Sequence, residues 1–390
     1  MAAGFTLFTA GCGDDDDDSG ATPTEALATT VAAETTTPEV TEAPAETTDA
    51  GATETTGAEE EPASTEAGGS EAEAEAALAD LYAAAQEEGS VTIYSSQGLD
   101  QLNATADAFE TKYPGVDVEV VRGTDADAIP RIETELATNT SGGDLIVTAS
   151  PSFMIAHGEA GDWVDPTASP QIAGVGSYDA DLYVHDGNFF EVGAAVLTFA
   201  WNTNDVPDGL TDYADLLTPE LAGGRIAVID PAISPAAVDY YLWLEETFGE
   251  EYVEQLAAQE PRIYPSALPI GEALTSGEVS AAAYAAPGTL IPASAAGAPV
   301  DFGISESGAW AARFFGAIPK SSDSPNAAAL LADFIVTPEG QELLQSGAGS
   351  VQPDVPGTLI TNDEVRVMDL EATAPEPAAA YVEKWNALFR

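Results

Sequence analysis

Apolar residues along this chain come in two regimes. From Gly13 to about Glu75 the sequence is built from Asp, Glu, Thr, Ala, Pro and Gly, with Leu27 and scattered Val as its bulky apolar residues. Such a stretch cannot bury enough surface to offset chain entropy, so residues 13–75 are predicted to be a disordered acidic linker. Beyond it the pattern becomes periodic. Glu75–Gly89, "EAALADLYAAAQEEG", predicts a helix closed by Gly89. "SVTIYSSQG" predicts a strand, "LDQLNATADAFETKYPG" an amphipathic helix stopped by Pro114-Gly115, and "VDVEVVRG" the next strand. "DAIPRIETELATN" is a further helix, and "GGDLIVTAS" a buried strand that runs into "SPSFMIAHGEAG".

The alternation continues. "FFEVGAAVLTFAWNTNDV" is long enough to cross between two lobes, and "GGRIAVID" leads into "DPAISPAAVDYYLWLEETFG". "SGEVSAAAYAAPG" belongs to a second αβ series, and "FGISESGAWAARFFGAIPK" reads as strands returning toward the first. The tail, including "SPNAAALLADFIVTPEGQELLQSG" and "PAAAYVEKWNALF", is helical. Strands alternating with helices predict an α/β fold with parallel sheets covered on both faces. Two such lobes, joined by crossing strands, leave a cleft between them.

Charge narrows the partners. The 390 residues carry 10 Lys+Arg against 67 Asp+Glu, a formal charge of −57, and no basic residue precedes Lys112. That field repels phosphate backbones and anionic membrane surfaces, so nucleic acid is not an expected partner. Solubility is the plain consequence of the charge. The aspartates Asp14 to Asp18 read as a solvated run, because nothing holds their carboxylates in a coordination geometry. The one cysteine, Cys12, has no partner for an intramolecular disulfide. It follows "LFTAG" and precedes a polar tract, which resembles a bacterial lipobox with the lipid attached to Cys12. Residues 1–12 then read as a truncated signal peptide that lacks a basic n-region.

Catalytic signatures are weak. His157 and His185 are the histidines, no G-x-S-x-G elbow occurs, and neither a phosphate loop nor a convincing G-x-G-x-x-G unit is present. His and Cys show no metal-binding spacing. The chain is therefore not read as an enzyme, and no cofactor is expected. What recurs is a strand that ends in a serine at a helix start: Ser96, Ser150-Pro151, Ser234-Pro235 and Ser266. Serine is a favoured cap and proline a favoured first helical residue. Helix N-termini offer unpaired N–H groups and partial positive charge, which suit small anions beyond the carboxyl ends of strands. Any one of these serines by itself is better explained by ordinary capping.

The order of segments resembles the two-lobed solute-binding proteins of bacterial ABC importers, more narrowly the subgroup that includes ferric-iron-binding proteins. The resemblance is carried by "VTIYSSQG", "AFETKYPGVDVEVVRG", "GDLIVTASPSFMIAHGEAGDWVDPTAS", "LTFAWNTNDVPDGLTDYADLLTPELAGGRIAVIDP", "GEALTSGEVSAAAY" and "IPKSSDSPNAAALLADFIVTPEGQELL", in that order. It implies a type II periplasmic-binding-protein-like fold over residues 76–390, with lobe 1 about 76–190 plus 305–390 and lobe 2 about 191–304. It implies capture of a small, anionic or organic ligand by hinge closure and delivery to permease subunits. The protein would be an extracytoplasmic monomer, held to the membrane through its lipid alone. Ser96, Gln97, Ser150, Trp201, Ser234, Pro235, Ala236, Ser266 and Tyr284 are the expected ligand-binding residues.

Iron ligation transfers poorly. The tyrosine pair of iron-binding members falls here on Ala285, Ala286, Pro287 and Gly288, and the expected acid falls on Ala149. Tyr240 and Tyr241 are an adjacent pair, but they lie inside a predicted helix. Adjacent helical residues point about 100° apart, so core packing is the expected role. Ferric iron at a non-standard site, and a polyamine-type cation drawn by the acidic surface, are the alternatives for the ligand.

Overall fold

The computed structural model describes residues 67–166, 178–179, 183–186 and 188–390. Cys12, the predicted lipobox and the tether as far as residue 66 lie outside the described residues. The first helix is longer than expected. It spans Ala67–Glu88, so it begins inside the predicted linker. Its sequence is mostly Ala, Glu and Leu, which have high intrinsic helix propensity. It ends where Gly89 takes φ +79°, a left-handed conformation that suits glycine. The Glu88 carboxylate then caps the helix Pro325–Val336, accepting from the Ala327 amide at 2.7 Å.

Twelve strands follow in chain order: β1 (Ser90–Ser95), β2 (Asp117–Arg122), β3 (Leu145–Thr148), β4 (Val184–His185), β5 (Phe189–Asn202), β6 (Ile226–Ile229), β7 (Arg262–Tyr264), β8 (Ala281–Ala285), β9 (Val300–Gly303), β10 (Trp310–Ala317), β11 (Gly349–Ser350) and β12 (Ile360–Thr361). The first lobe has the order β2-β1-β3-β10-β5. β1 pairs parallel with β2 and β3, while β10 lies antiparallel between β3 and β5. The second lobe continues from β5 through β8 and β6 to β7, with β6 parallel to both β7 and β8. The α/β prediction and the two-lobed type II architecture are both observed.

β5 makes the join. Phe190 to Leu197 pair with β10 in the first sheet, and Thr198 to Asn202 pair with β8 and β9 in the second. Its register against β10 slips between Phe314 and Phe315, so the bulge leaves Val192 without a cross-strand partner. The Val192 carbonyl is instead bonded by the side-chain amides of Gln341 and Gln345 at 2.8 and 3.1 Å. Gly193 next to it has φ +151°, and a Cβ there would strike the Gln345 side chain.

Each lobe has its own core. Leu145, Phe190, Phe314, Leu331 and Phe334 are buried together in the first, and Phe199, Ile229, Tyr240, Leu244 and Leu274 in the second. Burying one such side chain contributes about 1.5–3 kcal/mol. The expected lobe boundary is corrected at the C-terminus. The helix Pro375–Phe389, expected in lobe 1, packs on lobe 2. Tyr381, Trp385 and Phe389 form a stripe at four-residue spacing, Trp385 lies 5.7 Å from Tyr241, and Arg390 pairs with Asp230 at 2.6 Å.

Candidate ligand-binding cleft

The carboxyl ends of β3 and β6 carry the helices Pro151–Ala160 and Pro235–Phe248. Where these helix starts meet the crossing strands there is a cavity of about 150 Å³. Ala149, Pro151 and Ile155 line it from the first lobe and Ala236 from the second. Phe189, Glu191 and the run Trp310 to Arg313 with Phe315 form its floor, and Arg366, Val367, Met368 and Leu370 one wall. His185 completes the lining, its ring stacked 4.9 Å from Phe189.

The polar groups of this cavity are tightly bonded. Glu191 is buried, and its Oε1 accepts from Arg313 at 2.7 Å and lies 3.0 Å from His185 Nε2, while Oε2 accepts from Asn362 at 2.9 Å. Burial pushes the Glu191 carboxyl up, but His185, Arg313 and Asn362 outweigh it and hold the group below its ordinary value. Arg313 also donates to the Val365 carbonyl. Asp239, buried on the second-lobe helix, accepts from Trp310 Nε1 at 2.8 Å and from the Asp369 amide at 3.3 Å, and forms an ion pair with Arg366 at 3.4 Å. Arg366 reaches the rim carboxylate Glu246 as well. The segment 362–369 is thus strapped to a crossing strand at one end and to lobe 2 at the other. After these bonds, the Nε–H groups of Arg313 and Arg366 are buried with no partner.

The expected site residues separate into groups. Ala236 lines the cavity, while Ser234 and Pro235 precede it in the chain and Ser150 directly precedes Pro151. The Ser234 hydroxyl caps its helix, accepting from the Ala237 amide at 3.2 Å. Replacing it, Ser234→Ala, is expected to cost about 1 kcal/mol in urea unfolding. Ser150 makes no side-chain cap bond. Ser96 lies at the end of β1 with its hydroxyl buried and unpartnered, and Gln97 is tied to Ser95; neither lines this cavity.

Three of the expected residues lie away from this cavity. Trp201 pairs with Ala281 at the start of β8, the opposite end of the sheet from the helix starts, and packs on Phe199 and Gly209. Tyr284 is buried in the second-lobe core, 4.8 Å from the Tyr240 ring. Ser266 is exposed after the edge strand β7, away from the crossing strands. The aromatic wall is supplied instead by Phe189, Trp310 and Phe315. Arg313 and Glu191 had one sequence signal: each is a charge inside an otherwise apolar strand, in "AARFF" and "FFEVG".

Tyr240 and Tyr241 are both core. The Tyr240 hydroxyl donates to the Ala283 carbonyl, and that of Tyr241 to the Ile229 carbonyl at 2.6 Å. Burial pushes both hydroxyls well above the ordinary tyrosine value. Tyr241→Phe is expected to lower stability by about 1–2 kcal/mol and to leave ligand binding unchanged, measured by urea unfolding and calorimetry. Among the described residues no group of three or more His, Cys, Asp or Glu is placed to hold a metal ion.

Two lobes on crossed strands, with a cavity at the crossing, define the class of two-lobed binding proteins. A family model described as bacterial extracellular solute-binding protein matches residues 91–347, well over half of the chain, and the chain belongs to that family. The family is one of solute binders rather than enzymes, and it places the protein outside the cytoplasm. No curated protein matches the sequence closely enough to count as a relative. Among solved structures, iron-bound HitA from Pseudomonas aeruginosa is similar, with 20% identity and a TM-score of 0.58 over 77% of this chain and 99% of that one. AfuA from Actinobacillus pleuropneumoniae, with fructose-6-phosphate bound, has 21% identity and a TM-score of 0.56 over 77% and 98%. The substrate-binding protein of an ABC transporter from Agrobacterium tumefaciens has 14% identity and a TM-score of 0.62 over 77% and 94%. At these identities the likeness shows the fold.

Proposed function

We propose that this protein is the ligand-capturing subunit of an ABC importer, closing its lobes on a small organic anion and presenting it to membrane permease subunits. The observation that carries the reading is that Arg313 and Arg366 both line the interlobe cavity. The chain has 10 basic residues in all, and two of them line this one cavity. Every acceptor oxygen of Glu191 and Asp239 is engaged, so neither carboxylate is left free for a ligand. This speaks against a polyamine. The engagement of both Tyr240 and Tyr241 with backbone carbonyls speaks against a tyrosinate iron site.

Closure would bend the chain at the crossing, where the bulge at Val192 and Gly193 interrupts the β5 ladder. Ser96, Gln97, Ser150, Ser234 and Pro235 are assigned to the cleft mouth, where hydroxyls and amides meet the ligand during closure. Cys12 carries the lipid, the acidic segment that follows it is the tether, and the protein works as a monomer. A thermal-shift screen of the protein against phosphate esters, carboxylates, polyamines, sugars and ferric salts tests the reading. A midpoint that rises with the concentration of an organic anion supports it. A rise with polyamine or ferric salt alone overturns it.

A further inference from the structure

We infer that Val367 and Met368 on the strap select the solute by its uncharged body, taking a compact aromatic ring or branched alkyl group in preference to a polyol. This rests on the anion reading above and adds the body to which the charge is attached. The two residues stand between two anchors on a single atom. Arg366 pairs with Asp239 Oδ1 at 3.4 Å, and the Asp369 amide donates to the same oxygen at 3.3 Å. The Asp369 carboxylate then accepts from the Glu371 and Ala372 amides at 3.0 and 2.9 Å, so the strap runs on into an ordered turn.

Two residues pinned at both ends have little backbone freedom left to lose when a ligand arrives. Yet Val367 lines the cavity and is 72% exposed. Leu370, at 37%, extends the same wall. The fold thus holds a short run of apolar side chains beside the cavity and leaves it uncovered. Met368 sits within that run, and its unbranched thioether adapts to the face or edge of a ring.

The rest of the lining points to the same chemistry. Among the described residues that line the cavity there is no Ser, Thr, Tyr, Asn or Gln. Phe189 and Phe315, edge to face at 5.7 Å, and Ile155 continue the apolar wall. Trp310 adds ring surface but no donor, since its N–H is given to Asp239 at 2.8 Å. A sugar body brought here would shed the hydration of its hydroxyls and find few partners in return. A ring or branched alkyl group has no such loss, and a cavity of about 150 Å³ is the size that holds benzene.

Calorimetric titration of the full chain tests this with 4-methylbenzenesulfonate, methanesulfonate, glucose 6-sulfate and benzyl alcohol as separate probes. The three anions carry the same charge and differ in body. 4-Methylbenzenesulfonate is expected to bind at least about thirtyfold more tightly than either of the other two anions. Val367→Ser and Met368→Ser should each cut that preference at least about tenfold, while Val367→Leu keeps it within about threefold. Val367→Ser should leave the urea midpoint where it is, because the side chain is exposed. Glucose 6-sulfate or methanesulfonate binding as tightly as 4-methylbenzenesulfonate overturns the inference and leaves the anion reading standing. A preference unchanged in either serine variant overturns it too, as does the absence of binding by all four probes. Benzyl alcohol binding as tightly as 4-methylbenzenesulfonate overturns the anion reading and leaves the selection by Val367 and Met368 standing.

Discussion

Asp239→Ala is expected to destabilise the protein by about 3–5 kcal/mol, the cost of removing one partner from a buried charge pair. Asp239 is 1% exposed, and its carboxylate accepts from Trp310 Nε1 and the Asp369 amide and pairs with one nitrogen of Arg366. Its loss strands an indole N–H and a backbone N–H in the interior and turns Arg366 toward Glu246, a carboxylate on the exposed rim. Three parts of the chain meet at this residue: the second-lobe helix, crossing strand β10 and the strap 362–369. Urea unfolding measures the loss. Hydrogen exchange should at the same time accelerate in residues 362–370 and leave β1 to β3 unchanged. A loss below about 1 kcal/mol, with the strap still protected, would show that Asp239 does not tie the strap down.

The second large effect has the opposite sign. Asp333 lies on the helix Pro325–Val336 in the first-lobe core, 2% exposed, with Oδ1 lacking any partner. Burial pushes its pKa up to about 7, and Lys112 lowers it only in part because that ammonium is paired with Glu339 at 2.7 Å. The folded pKa thus stands above the unfolded value of 3.8, so the folded state binds the extra proton between these limits. Stability from this site is intact below about pH 4 and drains away as pH rises toward 7, by up to about 4 kcal/mol. Asp333→Asn removes the titration. The variant is expected to be more stable than the parent by about 2–4 kcal/mol at pH 8, with the gap closing toward pH 4. Urea midpoints of the two proteins across pH 4–8 measure it. A gap that stays constant, or widens toward acid, contradicts the assignment.

The layers of the fold were legible because they rest on local periodicity. The strands around Val91–Tyr94 and Leu145–Val147, and the crossing strand at Phe189–Asn202, are mostly apolar runs, and burial on both faces favours that pattern. Ser150, Ser234 and Ser266 marked the right helix starts, because helix starts depend on neighbouring residues, whereas the helix expected at Ser96 begins past Gly98. The site was less legible, because its chemistry is assembled from residues far apart in sequence. Glu191 and Arg313 meet across paired strands, and Arg366 meets Asp239 from a segment with no regular structure. Trp201 misled for a related reason. An aromatic residue on a crossing strand is conspicuous, but only the register with β8 tells which end of the sheet it occupies. The last helix went to the wrong lobe because a stripe of Tyr381, Trp385 and Phe389 says that a helix packs, not against what.

The central claim is that the solute sits in the cavity between the lobes and is held there by Arg313 and Arg366. Ala236→Phe tests it most directly, since it fills the cavity from the second-lobe side while leaving both arginines and Glu191 in the sequence. The measurement is calorimetric titration of parent and variant with whichever organic anion gives the largest thermal shift. At least about a hundredfold loss of affinity, with the unfolding midpoint held within a few degrees, is the expected result. Binding within about threefold of the parent would contradict the account and place the solute elsewhere.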